Sequence, residues 1–158
     1  MKESIIEVKN LRSAWNAVRT KESAGGIDGT SVEEYGRNIG RNLERLHCAL
    51  VEGRWTPKPY VDLRIPKPDG GERTIGLSVV EDKIVQNAIK TMIEPLLERT
   101  FSSSSYAYRP GRGHQRCVRR VMAELSKNRN GWYFRGDIDD FFDSIDRELL
   151  LKRLRTVI

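Results

Sequence analysis

Tyr60-Val61-Asp62-Leu63-Arg64-Ile65-Pro66, followed by Lys67-Pro68-Asp69-Gly70-Gly71 and Glu72-Arg73-Thr74-Ile75-Gly76-Leu77, decides the fold class. The first run alternates apolar and polar side chains, the period of a strand. Pro68-Asp69-Gly70-Gly71 reverses the chain, because proline presets one turn dihedral and glycine takes positive φ without a Cβ clash. Residues 72–77 then return as the partner strand of a hairpin. A hairpin standing among helical patterns predicts an α+β chain, rich in helix.

The flanks supply those helices. Pro57 and Pro59 keep the segment before the hairpin extended. Ahead of it, Ile5, Val8, Leu11, Trp15 and Val18 recur at spacings of three and four, predicting one helix over 4–21 with Ser4 as N-cap. Ser23 to Gly29 is a glycine-rich loop. A second helix is expected from Ser31 to Val51, burying Ile39, Leu43, Leu46 and Leu50, with Gly36 and Gly40 letting another backbone approach. Residues 79–99 read as a helix burying Ile84, Val85, Ala88, Met92 and Leu96, which Pro95 kinks or shortens. A fourth helix opens after Pro110-Gly111 and carries Val118, Val121, Met122 and Leu125. Trp132 to Ile138 reads as a buried strand ending in acid, and a last helix starts at Asp146.

Composition excludes two classes. The 158 residues suit one ordinary domain, and 38% hydrophobic with 32% charged residues is not the make-up of a disordered chain. No apolar run approaches the roughly 20 residues that span a bilayer, so no membrane partner is expected. The opening residues lack a signal-peptide pattern, and Cys48 and Cys117 lack CxxC spacing; both point to a reducing, cytoplasmic setting.

Charge is unevenly placed. From Arg99 to Arg135 nine basic residues face one acid, Glu124, whereas from Asp137 to Glu148 six acids face one base, Arg147. A basic stretch that neutralises phosphates, running into carboxylates that hold divalent cations, is what metal-dependent nucleic-acid chemistry requires. The bland reading is a solvated basic helix beside an unrelated acidic loop.

Three clusters carry the chemistry. Asp137, at the end of the expected buried strand, needs a partner or an ion, while Asp146 reads as a helix cap. Lys67 and Arg73 bracket the hairpin turn and can converge on one phosphate, or else simply face solvent. Ser105-Tyr106-Ala107-Tyr108-Arg109-Pro110-Gly111-Arg112-Gly113-His114 interleaves aromatics, cations and glycines at a helix entrance, where bases can stack and phosphates bind; its tyrosines equally suit a core.

Taken in order, these blocks resemble the reverse transcriptase domain of group II intron-encoded maturases and their bacterial relatives. Gly26-Ile27-Asp28-Gly29 is similar to the segment leading into the RT0 region, and Ile65 to Leu77 to the first fingers block. Glu81-Asp82-Lys83-Ile84-Val85-Gln86 through Gly111 resembles the second, and Asp137 to Asp146 resembles motif A of the palm. The resemblance divides the chain into an amino-terminal helix and loop (1–30), fingers (31–136) and the start of a palm (137–158).

What the resemblance implies is specific. Asp137 would be the catalytic aspartate that binds Mg²⁺, with the Ile138 carbonyl as a further ligand. Phe142 would lie under the sugar of the incoming dNTP, and Lys67 and Arg73 would contact its triphosphate. Arg109 and Gly111 would help hold the RNA template and primer, within a nucleic-acid surface comprising Tyr106, Arg112, Arg116 and Arg119. Asp139 and Asp140 stand where many relatives have a basic and a small residue, and read as exposed turn acids. The family's Tyr-x-Asp-Asp block and thumb are not among these residues. The chain is therefore expected to be fingers with an incomplete palm, without polymerase activity by itself, and to self-associate through uncovered apolar surface as a homo-oligomer. Two other readings stay open: a non-catalytic module that grips intron RNA, and a phosphohydrolase built on the acidic cluster.

Overall fold

The computed structural model describes residues 2–21, 26–66, 68, 70–127 and 131–158. Two compact units form, Met1–Glu94 and Pro95–Ile158.

The first unit holds α1 (Lys2–Ile6), α2 (Val8–Arg19), α3 (Val32–Arg37), α4 (Ile39–Val51), β1 (Val61–Pro66), β2 (Glu72–Leu77) and most of α5 (Val80–Glu98). The helix expected over 4–21 is broken at Glu7, whose ψ of 136° is extended. Ser4 therefore lies inside α1 rather than capping it. Two side chains satisfy the carbonyls at the end of α1. The Asn10 amide donates to Ile5 O at 2.9 Å, and His47 Nδ1 lies 2.7 Å from Ile6 O, which makes Nδ1 the protonated ring nitrogen.

The second expected helix also divides, at Asn38 (φ −123°, ψ 37°). Its start is as the sequence predicts, with Ser31 Oγ accepting the Glu34 N–H at 3.0 Å. Leu11, Ala14, Trp15 and Val18 of α2 meet Tyr35, Leu43, Leu46 and the Val80, Ile84, Val85 and Ala88 face of α5 in one core. Trp15 and Tyr35 pack with ring centroids 5.6 Å apart. Gly36 makes room for a side chain, since a Cβ there would sit 3.0 Å from the Trp15 ring. Close backbone approach occurs instead at Gly26, where a Cβ would meet Val79 Cα and N at 2.6 Å.

The hairpin forms as read, antiparallel with Val61 opposite Leu77 and Pro66 opposite Glu72. Gly70 and Gly71 take φ of 85° and 91°. Apart from the half-buried Ile65 and Leu77, both strands are exposed along their length.

The second unit carries the end of α5, with Pro95 inside the helix, then α6 (His114–Lys127) and α7 (Arg147–Leu154). Asp146 caps α7, its Oδ1 accepting the Glu148 and Leu149 N–H groups at 2.9 and 3.0 Å. The buried strand expected over 132–138 is not formed. Trp132, Tyr133 and Phe134 are fully or almost fully exposed, and among the described residues β1 and β2 pair only with each other. A strand exists by ladder bonds to a neighbour and by a covering layer, and no described residue supplies either to this segment. Val118, Val121, Met122 and Leu125 of α6 are exposed for the same lack of a layer.

Candidate nucleic-acid interface

The loop between α5 and α6 is organised around one buried cation. Arg109 Nε donates to both oxygens of Glu98, at 3.1 and 3.0 Å, and Nη2 donates to Glu98 Oε1 at 2.6 Å. Nη1 donates to Ser102 O at 2.6 Å and Ser105 O at 2.9 Å, and the guanidinium lies 5.2 Å from the Phe101 ring centroid. Four of the five N–H donors of an arginine are thereby used within the protein. These hydrogen bonds hold the Glu98 carboxyl below its ordinary range and raise the guanidinium above its own. Arg109, expected to touch the template, is buried and is the post on which residues 98–112 are wound.

That winding presents other cations outward. Tyr106, Arg112, Arg116 and Arg119 line one concavity of about 270 Å³. Arg112 Nη1 donates to Ser103 O at 2.7 Å, and its guanidinium stands 5.8 Å from the Tyr106 ring centroid. Arg116 Nη1 donates to Gly111 O at 2.7 Å, where Gly111 holds a left-handed φ of 64°. Arg119, three residues on, shares the helix face of Arg116. Among the described residues none of the three pairs with a carboxylate, because Glu98 is taken by Arg109 and Glu124 by Arg120 (3.2 Å) and Lys127 (3.5 Å). A second groove, of about 920 Å³, lies along α6 between Cys117, Val121 and Leu125 and the exposed Trp132 and Tyr133.

The motif A positions are open to solvent. Asp137 Oδ1 accepts the Ile138 N–H at 3.1 Å, and both residues are exposed. Phe142, 76% exposed, packs edge-on to Phe141 with centroids 5.2 Å apart, after a turn in which Asp140 takes a left-handed φ of 45°. Asp139 and Asp140 are exposed turn residues, as expected. No group of three or more His, Cys, Asp or Glu among the described residues could hold a metal ion. Asp137 and the Ile138 carbonyl would supply two of the six oxygens around an Mg²⁺ ion, leaving the others to water, substrate phosphates or further carboxylates.

In the first unit Arg73 is exposed and stands opposite Ile65 on the hairpin, while Lys67 lies outside the described residues. A polar cavity of about 390 Å³ also forms there, which sequence reasoning did not single out. Tyr35 OH donates to Glu81 at 3.3 Å, Arg45 pairs with the same carboxylate, and Lys58 Nζ is 3.4 Å from Asp28. Burial, and then the Glu81 charge, push the Tyr35 hydroxyl well above its usual range. These partners lie far apart in the chain, so no local motif announces them.

Asp82 ties the start of the hairpin to α5. It is 2% exposed, and Oδ2 accepts the Lys58 N–H at 2.9 Å while Oδ1 has no hydrogen-bond partner among the described residues. Burial raises this carboxyl above the ordinary carboxylate value, against the Lys58 hydrogen bond, which lowers it. The folded chain then binds the proton more tightly than the unfolded one. Stability from this group is complete below the ordinary carboxylate value and is lost as pH rises through the raised one. Asp82→Asn keeps an acceptor for Lys58 and removes that titration. The expected result is a smaller decline in melting temperature from pH 4 upward than in the wild type, and parallel profiles would refute it.

Comparison with known proteins follows the same residues. The family described as Reverse transcriptase (RNA-dependent DNA polymerase) matches residues 65–158. Protein YkfC of Escherichia coli (strain K12) is 32% identical over 133 residues, covering 82% of this chain and 35% of its own. Group II intron-encoded protein LtrA of Lactococcus lactis subsp. cremoris is 27% identical, covering 69% of this chain and 18% of its own. Nuclear intron maturase 1, mitochondrial, of Arabidopsis thaliana is 26% identical, covering 77% and 19%. The chain spans about a third of the length of YkfC and less than a fifth of the other two.

Proposed function

The chain belongs to the reverse transcriptase (RNA-dependent DNA polymerase) family, and from that premise we propose that it is the fingers and the start of the palm of a group II intron-type enzyme. One observation carries this reading: the family match covers residues 65–158, from the end of β1 through the basic loop to the Asp137 motif. In this reading the second unit holds RNA template and primer. Lys67 and Arg73 are the residues for a dNTP triphosphate, and Phe142 is the residue for a nucleotide sugar. Asp137, with the Ile138 carbonyl, contributes to an Mg²⁺ site that the described residues do not complete.

Two measurements test it together. The 158-residue chain is expected to bind single-stranded RNA with an affinity that falls steeply with salt, by a slope of about 0.7 per phosphate neutralised. It is expected to extend no primer, because no group of three or more acidic or other ligating residues that could hold a metal forms at the motif A carboxylate among the described residues. Salt-independent binding or measurable extension would each overturn the corresponding half.

A second reading, a non-catalytic module that binds intron RNA and promotes splicing, is favoured by the exposure of Asp137, Asp139 and Asp140 to solvent. Nucleotide binding separates the two. Arg73→Ala weakens dNTP binding if the hairpin holds a triphosphate, and leaves the chain unchanged if it does not.

A further inference from the structure

We propose that Arg112, Arg116 and Arg119 form a site for one phosphate group, held by all three guanidiniums and blind to the attached base. The inference rests on the reading of the second unit as an RNA-binding surface and specifies how that surface works. Three like charges drawn into one concavity repel one another; among the described residues none of the three forms a salt bridge, and the Glu98 carboxylate that attracts Arg112 is itself held by Arg109. Two are preset by their own contacts. Arg112 is anchored on Ser103 O and Arg116 on Gly111 O, each through Nη1, so the remaining N–H donors of both forks are available. Arg119 has no partner among the described residues and completes the set. A phosphate oxyanion, with several acceptor lone pairs, is the group such planar forks match.

The same geometry limits base stacking within the arginine concavity, although Tyr106 also borders the larger groove along α6. An aromatic ring reads single-stranded nucleic acid by stacking, yet one face of Tyr106 already carries the Arg112 guanidinium. The ring serves as the floor that holds a cation in place.

The number of phosphates is measurable. In single-stranded RNA each neutralised phosphate contributes about 0.7 to the slope of log affinity against log salt, and three separate contacts would contribute about three times that. Arg112→Gln/Arg116→Gln/Arg119→Gln in the full chain is expected to lower the slope by about 0.7, equally for oligo(A), oligo(C) and oligo(U). A fall of about 2 would mean three separate phosphates, and a fall seen with one base alone would mean base readout; either overturns the proposal. Arg119→Gln alone, which removes no hydrogen bond or salt bridge among the described residues, is expected to weaken binding while leaving the melting temperature in place.

Titration with inorganic phosphate, followed by the arginine Nε–H NMR signals, separates the site from the RNA reading. Shifts at all three arginines without RNA binding would keep the phosphate site and discard RNA as its source. RNA binding that is indifferent to the triple variant would discard the site and keep the RNA reading. Neither shifts nor RNA binding would discard both.

Discussion

Leu43→Ala lowers the stability of the first unit by about 2–5 kcal/mol, the range for deleting a fully buried leucine side chain. Leu43 is 0% exposed, on the face of α4 that packs in the core with α2 and α5. Whole domains are stable by about 5–15 kcal/mol, so this single change removes a large share. Val121→Ala in α6 is the contrasting variant. Val121 is 50% exposed, so its truncation is expected to cost no more than about 0.5 kcal/mol. Hydrogen exchange measured unit by unit separates the two. Similar losses in both variants would mean that the α6 face is covered in solution, as a second copy of the chain would cover it, and the difference would then vanish only at high protein concentration.

That contrast bears on what the sequence made legible. Periodicity marks the face a helix would bury, and at α4 and α5 a facing layer exists. At α6 the same spacing of Val118, Val121, Met122 and Leu125 is present, and among the described residues no layer covers it. Trp132 to Ile138 has the composition of a buried strand, but a strand is a relation between neighbours and composition cannot provide the neighbour. Local devices were legible. The Ser31 and Asp146 caps and the Gly70-Gly71 turn depend on residues within a few positions of each other. The breaks at Glu7 and Asn38 were not, since apolar spacing runs on through both and packing elsewhere turns the chain. The candidate interface divides in the same way. The excess of arginine was visible as a count, whereas the difference between Arg109 and Arg112 depends on a carboxylate eleven positions away in α5.

Arg109→Ala is expected to abolish tight RNA binding although Arg109 itself points inward. Removing the guanidinium leaves Glu98 without its pair and releases the carbonyls of Ser102 and Ser105, which now share one donor group. Ser105 O is also within 3.4 Å of Arg112 Nη1, so the anchor of Arg112 loosens with it. The charge removed is one among nine in the basic stretch, too few to account for a large loss through Coulomb attraction alone. Arg109→Lys discriminates further, because an ammonium keeps the charge but cannot span the two oxygens of Glu98 and two carbonyls at once. Both variants are expected to lose amide protection at Ser105 and Arg112, whose N–H groups donate to Ser102 O and Arg109 O at 3.1 and 3.2 Å, before any RNA is added. Acid does the same to the wild type. Glu98 titrates below its ordinary range, so its contribution is present at neutral pH and is lost as pH falls through that lowered value. Unchanged protection in RNA-free Arg109→Ala, with RNA binding lost, would place Arg109 in direct contact with the nucleic acid and remove its role as the post of the loop.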